Sequence, residues 1–144
     1  MKLNTLKAET FGKKIKWCGP TALAIISGRS LKFCHNKLAK IAGKEPRYLK
    51  GAYNWQMLYA LKEMKLRASG IDAAYGLTLR KYIEEVQSTE HFRGVMLVNV
   101  TDHYVVISKG LVVDNRNGSE PLPVKDHPMW RKRIVKAWFI KRTG

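Results

Sequence analysis

Apolar and polar positions divide the chain into a first part with helical spacing and a second with strand spacing. The stretch "PTALAIIS" (20–27) is apolar on nearly every side, which predicts a buried central helix. Pro20 suits its first position and Gly28 its stop. A second helix is expected over His35 to Ala42, with Leu38, Ala39, Ile41 and Ala42 as its apolar face and Gly43 as its end. "YNWQMLYALKEMK" (53–65) reads as a third, with Trp55, Leu58, Tyr59, Leu61 and Met64 facing inward. "TLRKYIEEVQSTEHF" (78–92) reads as a fourth, capped by Thr78. After Gly94 the period shortens. "VMLVNV" (95–100), "HYVVIS" (103–108), "LVVD" (111–114) and "IVKAWFIK" (134–141) are β-rich runs separated by turn residues. Helices followed by antiparallel strands define an α+β class with segregated layers.

Composition bounds this picture. With 144 residues, 45% of them hydrophobic, the chain is expected to form a single domain over 1–144 that needs neither disulfide nor metal for its core. No internal repeat or linker-like tract interrupts it. No apolar run is long enough to span a membrane, and the first fourteen residues lack a secretory h-region, so a cytoplasmic location is expected. The two cysteines, Cys18 and Cys34, match no paired zinc spacing and are expected to be reduced thiols. Neither a metal nor a cofactor is expected, and the chain has no phosphate-binding Gly-x4-Gly-Lys-Ser/Thr loop.

Charge changes the picture more. The net charge is +16, and the excess sits in residues 1–20, 29–50 and 125–144, while 51–124 balances. Such ends attract polyanions, either nucleic acid or an acidic protein. The candidate contacts are Lys13, Lys14 and Lys16 at one end and Arg131, Lys132 and Arg133 at the other, where Trp130 could stack on bases.

The chemistry starts at "WCGP". A thiolate is the attacking species, and a cysteine at a helix start lies where unpaired N–H groups and the dipole favour it. Lys13, Lys14 and Lys16 would act in the same sense. A base is also needed. His35 is placed on an exposed helix, and His91 and His127 in polar, loop-like surroundings, whereas His103 opens a strand. If Lys109 and Gly110 form a two-residue hairpin loop, Ser108 faces Leu111 and Val105 faces Asp114. His103, on the face of Val105, then has Asp114 as diagonal neighbour, with Asn115 on the other face. A one-residue slip would offer Asn115 or Asp102 instead. A carboxylate on one ring nitrogen leaves the other for the thiol.

In order, "WCGPTALAII", "KGAYNWQMLYALKEMKL" and "DHYVVISKGLVVDNRNG" resemble the Cys-Gly-Pro helix, middle helix and His…Asp hairpin of papain-like cysteine peptidases. They are most similar to small bacterial and phage proteins like the bacteriocin-processing (C39) peptidase domain, over about residues 12–118. The resemblance implies a papain-like fold, a protein or peptide substrate, Cys18 as nucleophile, His103 as general base and acid, and Asp114 as the group orienting the imidazole. The family's Gln, five or six residues before the nucleophile, is replaced by Gly12 and Lys13. Oxyanion stabilisation is therefore left to the backbone N–H of Cys18 with Thr10, Asn4 or a lysine such as Lys13. The leading expectation is a peptidase acting through a thioester. A deamidase or transglutaminase-like enzyme would use the same three groups. The alternative is a catalytically weakened scaffold serving as a basic nucleic-acid-binding or virion-associated protein.

Overall fold

The computed structural model describes residues 18–115 and 121–143. Asn4, Thr10, Lys13, Lys14 and Lys16 lie outside the described residues.

Helix α1 spans Cys18–Ser27, so it begins two residues before the sequence pattern placed it, and every residue from Cys18 to Ile26 is buried. Gly28, at φ +78°, ends it in a conformation that favours glycine. Helix α2 (Leu31–Ile41) starts four residues earlier than expected, because the Ser30 hydroxyl accepts the Phe33 N–H at 3.0 Å and caps the helix. Its His35 is 6% exposed rather than on a solvent face, with Nε2 2.7 Å from the Pro46 carbonyl.

Helix α3 (Asn54–Glu63) corrects another expectation. It buries Gln56, Met57, Ala60 and Leu61, and leaves Trp55 and Tyr59 more than half exposed. The reason is steric. A Cβ on Gly19 of α1 would lie 3.3 Å from Met57 Sδ and 3.1 Å from Ala52 Cβ, so α1 and α3 approach over small or pliant side chains where an aromatic ring would not fit.

Strand β1 (Leu66–Gly70) follows. Helix α4 (Leu79–Val86) is capped, as expected, by Thr78, whose hydroxyl accepts the Lys81 N–H. The expected long fourth helix stops at Val86, where the Thr89 hydroxyl and N–H both bond the Val86 carbonyl. A separate short turn of helix, α5, covers Glu90–Arg93.

The remaining strands are β2 (Val95–Val100), β3 (Tyr104–Ser108), β4 (Leu111–Val113), β5 (Leu122–Pro123) and β6 (Ile134–Arg142). With β1 they form one six-stranded sheet in the order β1-β6-β2-β3-β4-β5, every neighbour antiparallel. Alternation splits the core in two. Val95, Leu97, Tyr104, Val106, Val113, Trp138 and Ile140 pack with α1, α2 and α3, whereas Met96, Val98, Val105, Ile107, Val112 and Phe139 pack with Leu79, Tyr82, Ile83 and Val86 of α4. The sheet is thus covered on both faces, which explains why β2 and β3 read as continuous apolar runs. Among the described residues no helix is long and apolar enough to cross a membrane.

Candidate active site

Two tight hairpins set the register that assembles the site. Between β3 and β4, Ser108 pairs with Leu111, and the loop residues Lys109 and Gly110 have φ +53° and +77°, as a type I′ turn requires. Between β2 and β3, Val100 and His103 exchange both backbone hydrogen bonds, and Thr101 and Asp102 sit at φ +52° and +63°. A β-branched residue in that region is strained, and the strain lies two positions from His103. The turn is held from the side. The Asp102 N–H donates to Asn99 Oδ1 at 3.1 Å, and Asn99 Nδ2 donates to Asn54 Oδ1 at 3.0 Å, tying the loop before His103 to the start of α3.

His103 and Asp114 meet as the hairpin register predicts. Nε2 of His103 lies 2.6 Å from Asp114 Oδ2, with the side chains 5% and 0% exposed. An ionised carboxylate only accepts, so the proton of this bond is on Nε2, and in the neutral ring Nδ1 is the basic nitrogen. Nδ1 makes no aligned hydrogen bond, yet the Cys18 sulfur interacts with the ring closely enough to affect its titration. Burial alone, the largest influence, would push the imidazole pKa down. Hydrogen bonding to Asp114 and to Cys18, with the charges of both, more than offsets this and raises it to about 9. Asp114 shows the complementary pattern. Burial would raise its pKa, but hydrogen bonds from His103 and His127 hold it well below the usual carboxylate range. Asn115, the slip alternative, is buried beside it.

Cys18, 7% exposed at the first position of α1, forms part of the wall of an open cleft of about 860 Å³. The cleft is completed by Leu49, Gly51, Ala52, Asn54, Asp102 and Tyr104, with Lys44 and Lys50 at its margin. The Tyr104 hydroxyl lies 2.9 Å from the Ala52 carbonyl and 2.7 Å from Asn54 Oδ1, which fixes the cleft wall against β3. Burial, then the charges of Cys18 and Asp102, push the Tyr104 phenol upward, so it remains a neutral hydroxyl. Cys34 is a contrast. It is fully buried with its sulfur 3.8 Å from the Ser27 hydroxyl, and burial raises its pKa to about 11 against the smaller opposing effects of Ser27, Arg29 and Lys37.

The exposed run Arg131–Arg133 lies away from the cleft helices, beside the start of α4, where the Lys132 carbonyl accepts the Leu79 N–H. Arg80 and Arg131 both approach the Trp130 ring, at 5.7 and 4.7 Å from its centroid.

Sequence reasoning overlooked four residues here. Tyr104 and Asn54 carried no chemical signal. Asn99 did, as the single polar residue in "VMLVNV". His127, placed in a polar loop by the sequence, is 0% exposed with Nε2 3.2 Å from Asp114 Oδ1.

No family model matches this chain, and no curated protein matches it. Among solved structures it is similar to a double-glycine motif protease from an AMS/PCAT transporter, crystallised in complex with the leader peptide. The TM-score is 0.56 at 19% identity, covering 88% of this chain and 84% of that chain. The chain therefore has the α+β fold of that protease, with helices against an antiparallel sheet.

Proposed function

We propose that the protein is a thiol-dependent amide hydrolase, a cysteine peptidase of papain-like type, with Cys18, His103 and Asp114 as its reacting group. The observation that carries this reading is the buried 2.6 Å His103–Asp114 pair, whose imidazole also interacts with a cysteine at a helix start in an open cleft.

In the reaction so assigned, the His103 imidazolium holds its proton on Nδ1 beside Cys18, and the sulfur attacks the amide carbonyl carbon as the thiolate. The oxygen of the tetrahedral intermediate turns toward N–H groups in the first turn of α1, those of Cys18 and Gly19, since Pro20 has none. The imidazolium passes its proton to the leaving amine, and a thioester to Cys18 remains. Water, deprotonated by the same ring, then releases the acid and the thiol. Asp114 stays ionised throughout and holds Nε2–H. A peptide is the substrate class proposed for this open cleft. The similar protease, crystallised with a leader peptide, supports that choice.

Iodoacetamide at pH 6 tests the reading without a known substrate. Cys18 is labelled well ahead of Cys34, whose thiol stays protonated and buried, and His103→Ala removes the difference. Equal, slow labelling of both cysteines in the wild type would overturn it.

A further inference from the structure

His127 is a further group on the Asp114 carboxylate, and the reaction above does not use it. Its place in the fold is strongly constrained. It follows a short 3₁₀ turn, Val124–Asp126, and Pro128 after it restricts its backbone to the extended region, observed at φ −85° and ψ 137°. Its N–H donates to the Val124 carbonyl at 3.2 Å, and its own carbonyl accepts the Trp130 N–H at 3.1 Å. Ring Nδ1 accepts the Met129 N–H at 3.1 Å. Because Nδ1 is an acceptor, the proton of the neutral ring sits on Nε2. That nitrogen lies 3.2 Å from Oδ1 of Asp114, the oxygen that Nε2 of His103 does not hold, without the alignment of an ideal hydrogen bond.

We propose that His127 is a positioning residue for the reacting group: its Nε2–H holds Asp114 Oδ1, so that Oδ2 stays on His103 Nε2. The physical need is plain. A carboxylate turns readily about its last torsion, and each contact on it narrows the range over which Oδ2 can move away from His103. Contacts at both oxygens, from rings anchored on different parts of the chain, fix the carboxylate plane and hence the direction of the imidazole.

The inference rests on the reading of Cys18, His103 and Asp114 as a reacting group, so one readout depends on that reading and a second does not. The full chain is prepared as His127→Met, His127→Gln and Asp114→Asn, and as Asp114→Asn combined with His127→Met. The alkylation rate of Cys18 at pH 6 is expected to fall about tenfold in His127→Met, the lower range for loss of a hydrogen bond to a charged group. It should recover in His127→Gln, whose amide N–H can reach Oδ1, and His127→Met should add nothing once Asp114 is Asn. In parallel, long-range proton–nitrogen spectra of the histidine rings follow the His103 Nε2–H signal, which is expected to move in His127→Met and to stay in His127→Gln. An unchanged rate in His127→Met, an equal loss in the Asp114→Asn background, or a His127→Gln no better than His127→Met overturns the proposal. If Cys18 shows no His103-dependent reactivity, the reacting-group reading fails by itself. The ring signal then decides, and an unmoved His103 Nε2–H in His127→Met overturns the positioning role. Should His127→Met fail to fold, His127→Asn replaces it, since its amide can stand in for Nδ1 but does not reach Asp114.

Discussion

Replacing Asp114 by Asn should alter how stability depends on pH, and the size of the change follows from the titration of His103. Its pKa moves from 6.5 to about 9 on folding, so between those values the native ring holds a proton that the unfolded ring has lost. Stability therefore falls as pH rises, by about 1.4 kcal/mol per unit, or about 3 kcal/mol across the window. The contribution is fully present below pH 6.5 and is lost through pH 9. Asp114 behaves oppositely. Its depressed pKa contributes stability that disappears only in acid and stays constant here. The ring is almost wholly buried, so solvent screening takes little from these figures. With Asn at 114, burial, the largest influence on the ring, is opposed by Cys18 alone, and the slope flattens. The measurement is urea unfolding followed by circular dichroism at half-unit steps from pH 6 to 9.5, for both proteins. The difference in unfolding free energy should shrink with pH by between about 1.5 and 3 kcal/mol. A constant difference across that window would refute the claim that Asp114 sustains the His103 charge.

Three other outcomes follow from the geometry. Gly94→Ala puts a Cβ 2.4 Å from Cε2 of the buried Phe139 ring, so urea unfolding should show a loss of about 1–3 kcal/mol from forced repacking; wild-type stability would show that the ring gives way freely. Thr101→Gly relieves a β-branched residue at φ +52°, and should raise the urea midpoint by the equivalent of about 1 kcal/mol net of the entropy a glycine adds to the unfolded chain; a lower midpoint would mean that the strain is absent. If the basic ends hold nucleic acid, the affinity for duplex DNA should weaken with salt, and changing Arg131, Lys132 and Arg133 together to Ala should reduce the log–log slope by about 3; a slope near zero in the wild type removes that partner class.

Short-range chemistry determined much of this protein in advance. Residue period separated helices from strands, Lys109-Gly110 marked a two-residue turn, and counting outward from it paired His103 with Asp114, because side-chain direction in a hairpin depends only on register. What escaped the sequence was of another kind. Strand β1 has only Leu66 buried, and owes its existence to pairing with β6 rather than to any alternation of its own. Trp55 and Tyr59 look like core residues until α1 approaches α3 at Gly19, where a small helix face is required. His127 reads as a loop histidine, because nothing in "VKDHPMW" signals that two backbone hydrogen bonds, the Met129 N–H on its Nδ1 and a proline will pin its ring beside a carboxylate thirteen positions earlier. Local patterns encode where a chain turns and which way its side chains point. Which buried surfaces come to lie against one another is settled by packing among segments far apart in the sequence, and the tertiary structure alone decided that His127 lies against Asp114.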